Sequence, residues 1–295
     1  MAEKRKFYGM RNDYMFHAVL QKNEEVLRNL LATLLEIDEA EIESCHIENP
    51  IELGKEIEGK ECILDVKLTL NNDKVINIEL QVYKQTHWIN RSLLYWARTY
   101  DNLKSGQDYS MLLPAYHIGI LDFTLFENHP KFMAQYQILD VEDGYLYSDK
   151  LCIEVLDLTQ LEKAKQEPET NKKLLKWASI FKAETLEELE QLASGEEVFE
   201  NMVVTMKKLS EDEKIRMQCE AREDYERSLL TEYNAGKSEG IEQGIASERG
   251  NTEKERQRAE KESQRAEKER QRAEKESQRA DALAAEVERL RALLK

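Results

Sequence analysis

The chain has 295 residues, of which 41% are hydrophobic and 35% are charged, and its formal net charge is −16 at pH 7. This composition is typical of a soluble globular protein with a polar tail, and the acidic balance excludes nucleic-acid binding through overall positive charge. No apolar run has the length of a membrane helix, and the charged start Met1–Lys6 is not followed by an apolar signal segment. We therefore expect a cytoplasmic protein with no membrane partner, in which any DNA contact is local.

Cysteine and histidine residues do not have the spacing of a zinc site. The cysteines lie far apart in the chain, without a CxxC pair: Cys45, Cys62, Cys152 and Cys219. The five histidines do not cluster with them. We expect the cysteines to be reduced thiols in the core or at the surface.

A first amphipathic helix is predicted near the N-terminus, opening at Asn12 and running through Leu30–Leu35. Asn12 or Asp13 is suited to cap its first turn, because a side-chain oxygen there accepts a hydrogen bond from a backbone N–H that lacks a helical partner. The leucines are expected to pack on a sheet. Glu24 and Glu25 lie on the same predicted helix.

Two strands joined by a short turn are predicted next. Apolar and polar residues alternate on both sides of the turn Asn71–Asp73: Leu64, Val66, Leu68 and Leu70 alternate with Asp65, Lys67 and Thr69, and Ile76, Ile78, Leu80 and Val82 alternate with Asn77, Glu79 and Gln81. Matching the apolar faces sets Leu70 opposite Lys74, because a slip of one residue would pair apolar with polar side chains. Asp65 then stands opposite Glu79.

The opposed carboxylates carry a chemical implication. Directly paired residues of neighbouring strands have Cβ atoms about 4.5–5.5 Å apart, so two negative charges there are destabilising unless a cation neutralises them. Two carboxylates from neighbouring strands, together with substrate phosphate and water, usually hold Mg²⁺ at phosphodiester-cleaving sites, so Asp65 and Glu79 are candidate ligands. The alternative is an ordinary hairpin with one solvated face, which shows the same alternation.

A helix is predicted over residues 87–104, after the hairpin. Its stripe of basic, aromatic and amide side chains consists of Arg91, Tyr95, Arg98 and Asn102. Basic and aromatic side chains on one face can contact phosphates and stack on bases or sugars. The stripe also fits a helix that packs its tyrosine inward.

The C-terminal half is predicted to be helical. Residues 161–235 form an all-helical extension, with helices over Asn171–Phe181, Leu186–Ala193 and Glu211–Tyr233 and breaks at Pro168 and Gly195. Residues 236–250 carry glycine at every fourth position: Gly236, Gly240 and Gly244. Glycine lowers helix stability, so the run indicates either a flexible hinge or a close contact between helices.

Residues 251–295 are a charged heptad repeat, predicted to form a solvated helix or a coiled coil. Glutamate falls at a seam position in most of the repeat, where it buries no apolar area. The same frame then continues through Ala280, Leu283, Val287, Leu290 and Leu294 as a short leucine zipper. Because a single helix would leave these leucines in water, we expect a homo-oligomer, or a helical partner, through residues 280–295.

A resemblance to a known family extends well beyond the hairpin. The matching segments follow one another from Asn12 to Phe126: Asn12–Phe16, Leu30–Leu35, Asn49–Glu52, Ile63–Lys67, Ile76–Gln81, Arg91–Tyr95, Gly106–Tyr109 and Ile118–Phe126. In these segments the chain resembles the recombination-promoting nuclease and transposase family of the PD-(D/E)xK nuclease superfamily. The resemblance implies an α/β, restriction-endonuclease-like core over residues 1–160, with a mixed sheet flanked by helices.

The resemblance also implies a metal-dependent hydrolytic site on the hairpin. Asp65 and Glu79 correspond to its metal-binding carboxylates, and the metal would be Mg²⁺ or Mn²⁺. Gln81 takes the place where the superfamily has lysine, so a neutral side chain that orients water replaces a cation that stabilises the developing phosphate charge. Lys67 is on the same predicted face and is a candidate replacement for that cation.

The resulting hypothesis is a Mg²⁺-dependent deoxyribonuclease that hydrolyses phosphodiesters with low sequence specificity and promotes recombination or transposition. Gln81 would position the attacking water, and Arg91, Tyr95 and Arg98 would contact DNA. Two alternatives remain open. One is a binding protein with a catalytically weakened nuclease fold, assembled through its coiled-coil tail and favoured by Gln81 and the acidic surface. The other is an assembly module in which the repeats dominate.

Overall fold

The computed structural model describes residues 6–51, 53, 65–84 and 86–293. The sequence analysis also concerns residues that lie outside the described ones, among them Met1, Glu52, Cys62, Ile63, Leu64 and Leu294. The helices are α1 (Asp13–Lys22), α2 (Glu24–Leu34), α3 (Trp88–Tyr100), α4 (Leu161–Ala164), α5 (Lys172–Lys182), α6 (Leu186–Ala193), α7 (Glu197–Glu211) and α8 (Glu213–Leu293). The strands are β1 (Cys45–Ile47), β2 (Val66–Leu70), β3 (Lys74–Gln81), β4 (Ala115–Leu121), β5 (Met133–Leu139) and β6 (Leu146–Asp157).

The strands of the described residues form one mixed sheet, in the order β1-β2-β3-β4-β6-β5. β1, β2 and β3 pair antiparallel, β3, β4 and β6 pair parallel, and β5 pairs antiparallel with β6. Helix α3 makes the crossover between the parallel strands β3 and β4, as a parallel pair requires. The predicted α/β fold, a mixed sheet flanked by helices, is confirmed.

The β2–β3 hairpin has the predicted register. Leu70 pairs with Lys74, and Val66 pairs with Ile78. The turn residues Asn71 and Asn72 have positive φ angles of 49° and 56°, a conformation that asparagine tolerates better than most residues. The Asn71 side chain also accepts hydrogen bonds from two backbone N–H groups and donates one to a backbone carbonyl in the segment before β1. The turn is therefore fixed both by its own backbone conformation and by hydrogen bonds to the segment before β1.

The N-terminal segment forms two helices, so the prediction of one helix running to Leu35 is wrong. Asn23 separates α1 from α2 with an extended backbone, and its side chain caps α2 by accepting from Val26 N at 3.2 Å. Its amide also donates to Thr205 Oγ1 at 3.0 Å. Because the two helices share this one cap residue, the chain bends between them without a loop.

The main hydrophobic core lies between one face of the sheet and the helices α1, α2, α5 and α7. Helices from the predicted extension contribute fully buried side chains to it, including Trp177, Phe181 and Phe199, and Phe181 contacts Phe16 of α1 with ring centroids 5.9 Å apart. The compact unit that contains the sheet accordingly extends to Ser228. The helices after residue 160 thus complete the core of the domain.

The opposite face of the sheet is covered by α3. Trp88 packs there with Leu121, Ile153 and Val155. Gly119 on β4 makes this possible, because a Cβ at this position would lie 2.3 Å from Trp88 Cζ2. The polar face of the hairpin lies under the same helix, where Asn77 is 6% exposed and Glu79 is 1% exposed. An ordinary hairpin with one solvated face is therefore excluded.

The second compact unit consists of Leu229–Lys295. Helix α8 continues through Gly236, Gly240 and Gly244 to Leu293, and Leu283 and Val287 are 67% and 44% exposed. The helical state of the charged repeat is confirmed. Among the described helices, including this long one, none combines the length and the apolar character needed to cross a membrane. Cys45, Cys152 and Cys219 are free thiols, as predicted.

Candidate active site

Two carboxylates meet at the open end of the hairpin, under α3. Asp65 directly precedes β2, and the pairing of Val66 with Ile78 places Asp65 across from Glu79 on β3. Burial and the negative charge of Glu79 raise the pKa of the Asp65 carboxyl well above its usual range, against the opposing effects of Arg91 and of a hydrogen bond with Asn77. Burial and the neighbouring Glu79 charge therefore disfavour the ionised form of Asp65.

Glu79 is held by basic side chains from two elements. Arg91 of α3 places Nε 2.9 Å from Glu79 Oε1, and His117 of β4 places Nε2 3.5 Å from Glu79 Oε2. His117 is fully buried, and its Nδ1 lies 3.2 Å from the side-chain nitrogen of Asn77. These contacts fix the carboxylate between the sheet and the helix. Pattern reasoning missed His117, whose one sequence signal is its place on an apolar strand.

The first helix supplies a further acid near the site, and it is Asp13. Asp13 contributes to the raised pKa of Asp65. The guanidinium of Arg222 on α8 binds both oxygens of Asp13, with Nε 3.1 Å from each. Burial, followed by the charge of Asp13, also raises the pKa of Glu226 on α8 to about 7. Asp13 thus sits in an acidic group at the edge of the site, with Arg222 as its main counter-ion.

Glu24 and Glu25, the other acids named on the predicted first helix, have partners elsewhere. Glu24 pairs with Arg28 at 3.0 Å, and Glu25 accepts a hydrogen bond from Asn201 at 3.1 Å. Asn12, the other predicted cap, accepts from Met15 N and so caps α1. Because Asn12 caps the helix, Asp13 is available for the site. The sequence alone does not reveal which residue of the Asn-Asp pair takes which role.

Gln81 and Lys67 occupy different surroundings. Gln81 ends β3 half-buried on the same face as Glu79, and its carbonyl accepts a hydrogen bond from Asp122 N at 3.0 Å. The ammonium of Lys67 lies 3.0 Å from Glu48 Oε2, on the side of the hairpin next to β1. Lys67 thus has a carboxylate partner of its own.

The residues of the predicted stripe on α3 have different roles, some at the site and one in the fold. The Arg91 guanidinium lies 4.8 Å from the ring centre of Tyr95, whose ring centre lies 6.3 Å from that of His117. Arg98 is exposed, with its guanidinium 5.9 Å from the Tyr95 ring. Asn102 instead binds both backbone groups of Leu113 and fixes the loop before β4. Arg91 and Tyr95 are therefore turned inward, and Arg98 remains at the surface.

The donor set fits a hard divalent cation. Neither oxygen of the buried Glu79 carboxylate accepts a hydrogen bond of normal geometry from a described residue, so both keep lone pairs for a cation. Carboxylates of this kind are ligands that Mg²⁺ prefers, with water and substrate phosphate as the others. No cluster of three or more His, Cys, Asp or Glu side chains suited to a metal occurs within the described residues. Asp65 and Glu79 would thus form the protein's part of an open site.

Comparison with known proteins identifies a family. The model of a family described as PD-(D/E)XK nuclease family transposase matches residues 10–236 of the chain. The matched range includes the hairpin, α3 and the Asp13–Arg222 pair. No curated protein and no solved structure matches the chain.

Proposed function

The chain belongs to the PD-(D/E)XK nuclease family of transposases, whose model covers more than half of it, and on this premise we propose that it is a metal-dependent DNA endonuclease. It hydrolyses phosphodiesters with low sequence specificity and promotes recombination or transposition. The observation that carries the proposal is the meeting of Asp65 and Glu79 under α3, with a raised pKa at Asp65 and hydrogen-bonding capacity left at Glu79. Both features are those of a carboxylate pair that needs a cation.

Asp65 and Glu79 hold Mg²⁺ or Mn²⁺ in this proposal. When bound, such an ion supplies Lewis-acid chemistry, in that it neutralises phosphate charge and eases the deprotonation of water. Gln81 orients the attacking water through its amide, which both donates and accepts hydrogen bonds. His117 and Asn77 keep Glu79 in place, because they fix its surroundings from the neighbouring strand and from β3 itself.

Arg91 takes the charge-stabilising role that lysine has in the superfamily pattern. Its contact with Glu79 supports this assignment, since it brings a permanent cation to within 2.9 Å of the site carboxylate. Lys67, the candidate from the sequence, is engaged by Glu48 at 3.0 Å. We assign the role to Arg91 in preference to Lys67, because Arg91 lies against the site carboxylate Glu79 and Lys67 lies against Glu48 on the side of β1.

DNA is the proposed substrate, with Arg98 and the edge of Tyr95 in contact with it beside the site. Arg98 is exposed on the helix that carries Arg91, so it can reach a phosphate without leaving α3. Phosphate contacts position DNA without reading its bases, which agrees with low sequence specificity.

Plasmid nicking tests the proposal. Wild type and Asp65→Asn are incubated with supercoiled plasmid in Mg²⁺, in Mn²⁺ and in EDTA, with Asp73→Asn as the matched control, because Asp73 is an exposed acid in the turn of the same hairpin. We expect nicking by the wild type and the control in the presence of metal, and none by Asp65→Asn. Nicking that persists in Asp65→Asn, or that needs no metal, would reject the site.

A catalytically weakened binding protein is the second candidate, favoured by the neutral Gln81 in the place of a lysine. It predicts DNA binding by the wild type without nicking under any of these metals. A Gln81→Lys variant distinguishes the two functions, because it restores the superfamily pattern. A gain of nicking from an inactive wild type would support the second candidate.

The tail is proposed to pair chains into a homo-oligomer through residues 280–295. The exposed Leu283 and Val287 support this proposal, because a lone helix leaves them in water. Light scattering of the full chain and of a chain ending at residue 280 checks it. A monomer in both cases would contradict the proposal.

A further inference from the structure

Helix α5 is basic in a chain that is otherwise acidic. α5 contains four lysines and no acidic residue: Lys172, Lys173, Lys176 and Lys182. The chain as a whole has a net charge of −16. Leu174, Trp177 and Phe181 anchor the helix in the core, which leaves Lys176, Ser179 and Lys182 on its outer side.

Lys176, Ser179 and Lys182 line an open cavity of about 840 Å³. Lys165 adds a third ammonium group to its wall, against the two carboxylates of Glu162 and Glu188. Lysine ammonium groups and a hydroxyl are donors that bind phosphate oxygens. The cavity wall thus has the charge and the donors that suit a phosphate-bearing ligand.

Lys182 connects this cavity with the candidate site. Its Nζ lies 3.5 Å from Asp122 Oδ1, and Arg11 pairs with the other oxygen of the same carboxylate. Two cations thus share this carboxylate, and a further partner of Arg11, Glu184, lies 3.8 Å away and is largely exposed. The backbone N–H of Asp122 donates to the carbonyl of Gln81 at 3.0 Å, which places the two cations beside the end of β3.

The cations of this group remain within reach of a ligand. The side chains of Arg11 and Lys182 are 33% and 38% exposed. Lys176 pairs with Glu196 at 2.5 Å, and that glutamate is itself half exposed to water. Glu196 is exposed enough that a phosphate can compete with it for Lys176. Asp122 is 11% exposed and stays paired, so a phosphate would bind the exposed N–H donors of Arg11 and Lys182 that this carboxylate does not use.

We propose that Lys176, Ser179, Lys182 and Arg11, which we call the α5 basic face, bind the phosphate backbone of the DNA and lead it to the hairpin carboxylates. The proposal rests on the proposed nuclease function and adds its DNA-binding surface. Binding at this face is electrostatic and carries no sequence information. It also gives an acidic protein the local positive charge that DNA binding requires.

The test measures DNA binding separately from cleavage. Full-length protein is titrated against a short fluorescein-labelled duplex in EDTA, by fluorescence anisotropy over a series of salt concentrations. The variant is Lys176→Gln/Lys182→Gln, and the matched control is Lys207→Gln/Lys208→Gln on α7, which removes the same charge and also breaks one glutamate pair. Ser179→Glu is a second variant, which adds a negative charge between the two lysines without removing an ion pair.

We expect the double variant to bind about tenfold more weakly, with a salt dependence reduced by about two units of slope, one for each lysine that no longer binds a phosphate. Ser179→Glu should also weaken binding, and the control should change it by less than about twofold. Unchanged affinity and slope in both α5 variants would overturn the proposal. If the wild type still nicked plasmid in that case, the nuclease function would stand without this face.

A small-molecule ligand is the competing outcome. Wild-type protein that fails to bind the duplex but binds inorganic tripolyphosphate, with loss of that binding in Lys176→Gln/Lys182→Gln, would overturn the assignment to DNA. Failure to bind either probe would overturn the proposal as well. Circular dichroism and thermal unfolding of each variant establish that it is folded before its affinity is compared.

Discussion

At the scale of single residues, the site depends on how the charge of Glu79 is compensated. The carboxylate is 1% exposed and faces Asp65, so two negative groups share a poorly hydrated space. Arg91 is the cation that contacts Glu79 directly. In the proposed function a metal ion would act on the same charge as Arg91, and the loss of one should increase the need for the other.

Arg91→Met tests this relation, because methionine keeps much of the side-chain length and removes the charge. Without the guanidinium, the free energy of unfolding in EDTA should fall by about 3–5 kcal/mol, as expected when a buried carboxylate loses its partner. Mg²⁺ should restore part of it. Arg98→Met, on the exposed side of the same helix, should stay within about 0.5 kcal/mol of the wild type. Urea denaturation with and without Mg²⁺ measures both, and equal losses in the two variants would contradict the relation.

A second buried acid, Glu154 on β6, should make stability depend on pH. Burial raises the pKa of Glu154 from 4.5 to about 7. This folded-state pKa lies above the ordinary value, so the folded protein favours the protonated form of Glu154. The contribution of Glu154 to the free energy of unfolding is therefore complete below pH 4.5 and is lost as the pH rises through about 7. Glu154→Gln does not titrate, so it should match the wild type in acid and exceed it by up to about 3 kcal/mol at about pH 8. Chemical denaturation at both pH values checks this, and a pH-independent difference would show that Glu154 does not titrate as described.

At the scale of elements, strand patterns were more predictable than helix boundaries. The alternation of Leu68 and Leu70 with Lys67 and Thr69 has one register in which all apolar residues share a face, so the hairpin followed from the sequence. The break at Asn23 did not, because a single asparagine within a leucine-rich helix signals a cap only when a partner such as Thr205 is in place. The residues of the candidate site also differ in how far local sequence predicts them. Asp65 and Glu79 lie on the predicted hairpin, whereas Asp13 and His117 reach it through tertiary packing.

The contact between α3 and β4 is the element-scale feature most open to test. Gly119→Ala places a methyl group against the Trp88 ring, so we expect a loss of about 1–3 kcal/mol from overpacking. Gly119 pairs with Glu79 in the sheet, and a displaced Trp88 should therefore also lower cleavage. Gly240→Ala is the matched control, since a Cβ there meets no described atom within 4 Å and alanine favours a helix. Urea denaturation should show the first variant to be less stable than the wild type and the second to be no less stable.

At the scale of the whole molecule, the domain is closed by the start of α8. Arg222 binds Asp13, and the carbonyl of Cys219 accepts a hydrogen bond from the Asn12 side chain at 2.9 Å. The core also contains Ile215 and Cys219, which are 5% and 0% exposed. The nuclease domain is therefore complete only when this part of α8 is included.

Two truncations test the closure of the domain. A chain ending at residue 235 keeps these contacts and should retain the stability and the nicking activity of the full chain. A chain ending at residue 211 leaves the buried Asp13 without Arg222, so it should lose about 3–5 kcal/mol of stability and most of its activity. Thermal unfolding and plasmid nicking of both chains are compared with the full chain. Full activity in the shorter chain would show that α8 has no part in the site.

The pair between Asp13 and Arg222 also sets an order for synthesis. The two residues are 209 positions apart, so the first helix leaves the ribosome long before its counter-ion is translated. During that interval the hairpin and α3 are already present, while the acid beside them lacks its guanidinium. A nascent chain thus lacks this ion pair until the start of α8 has been translated, and the domain is closed only after nearly all of it has been released.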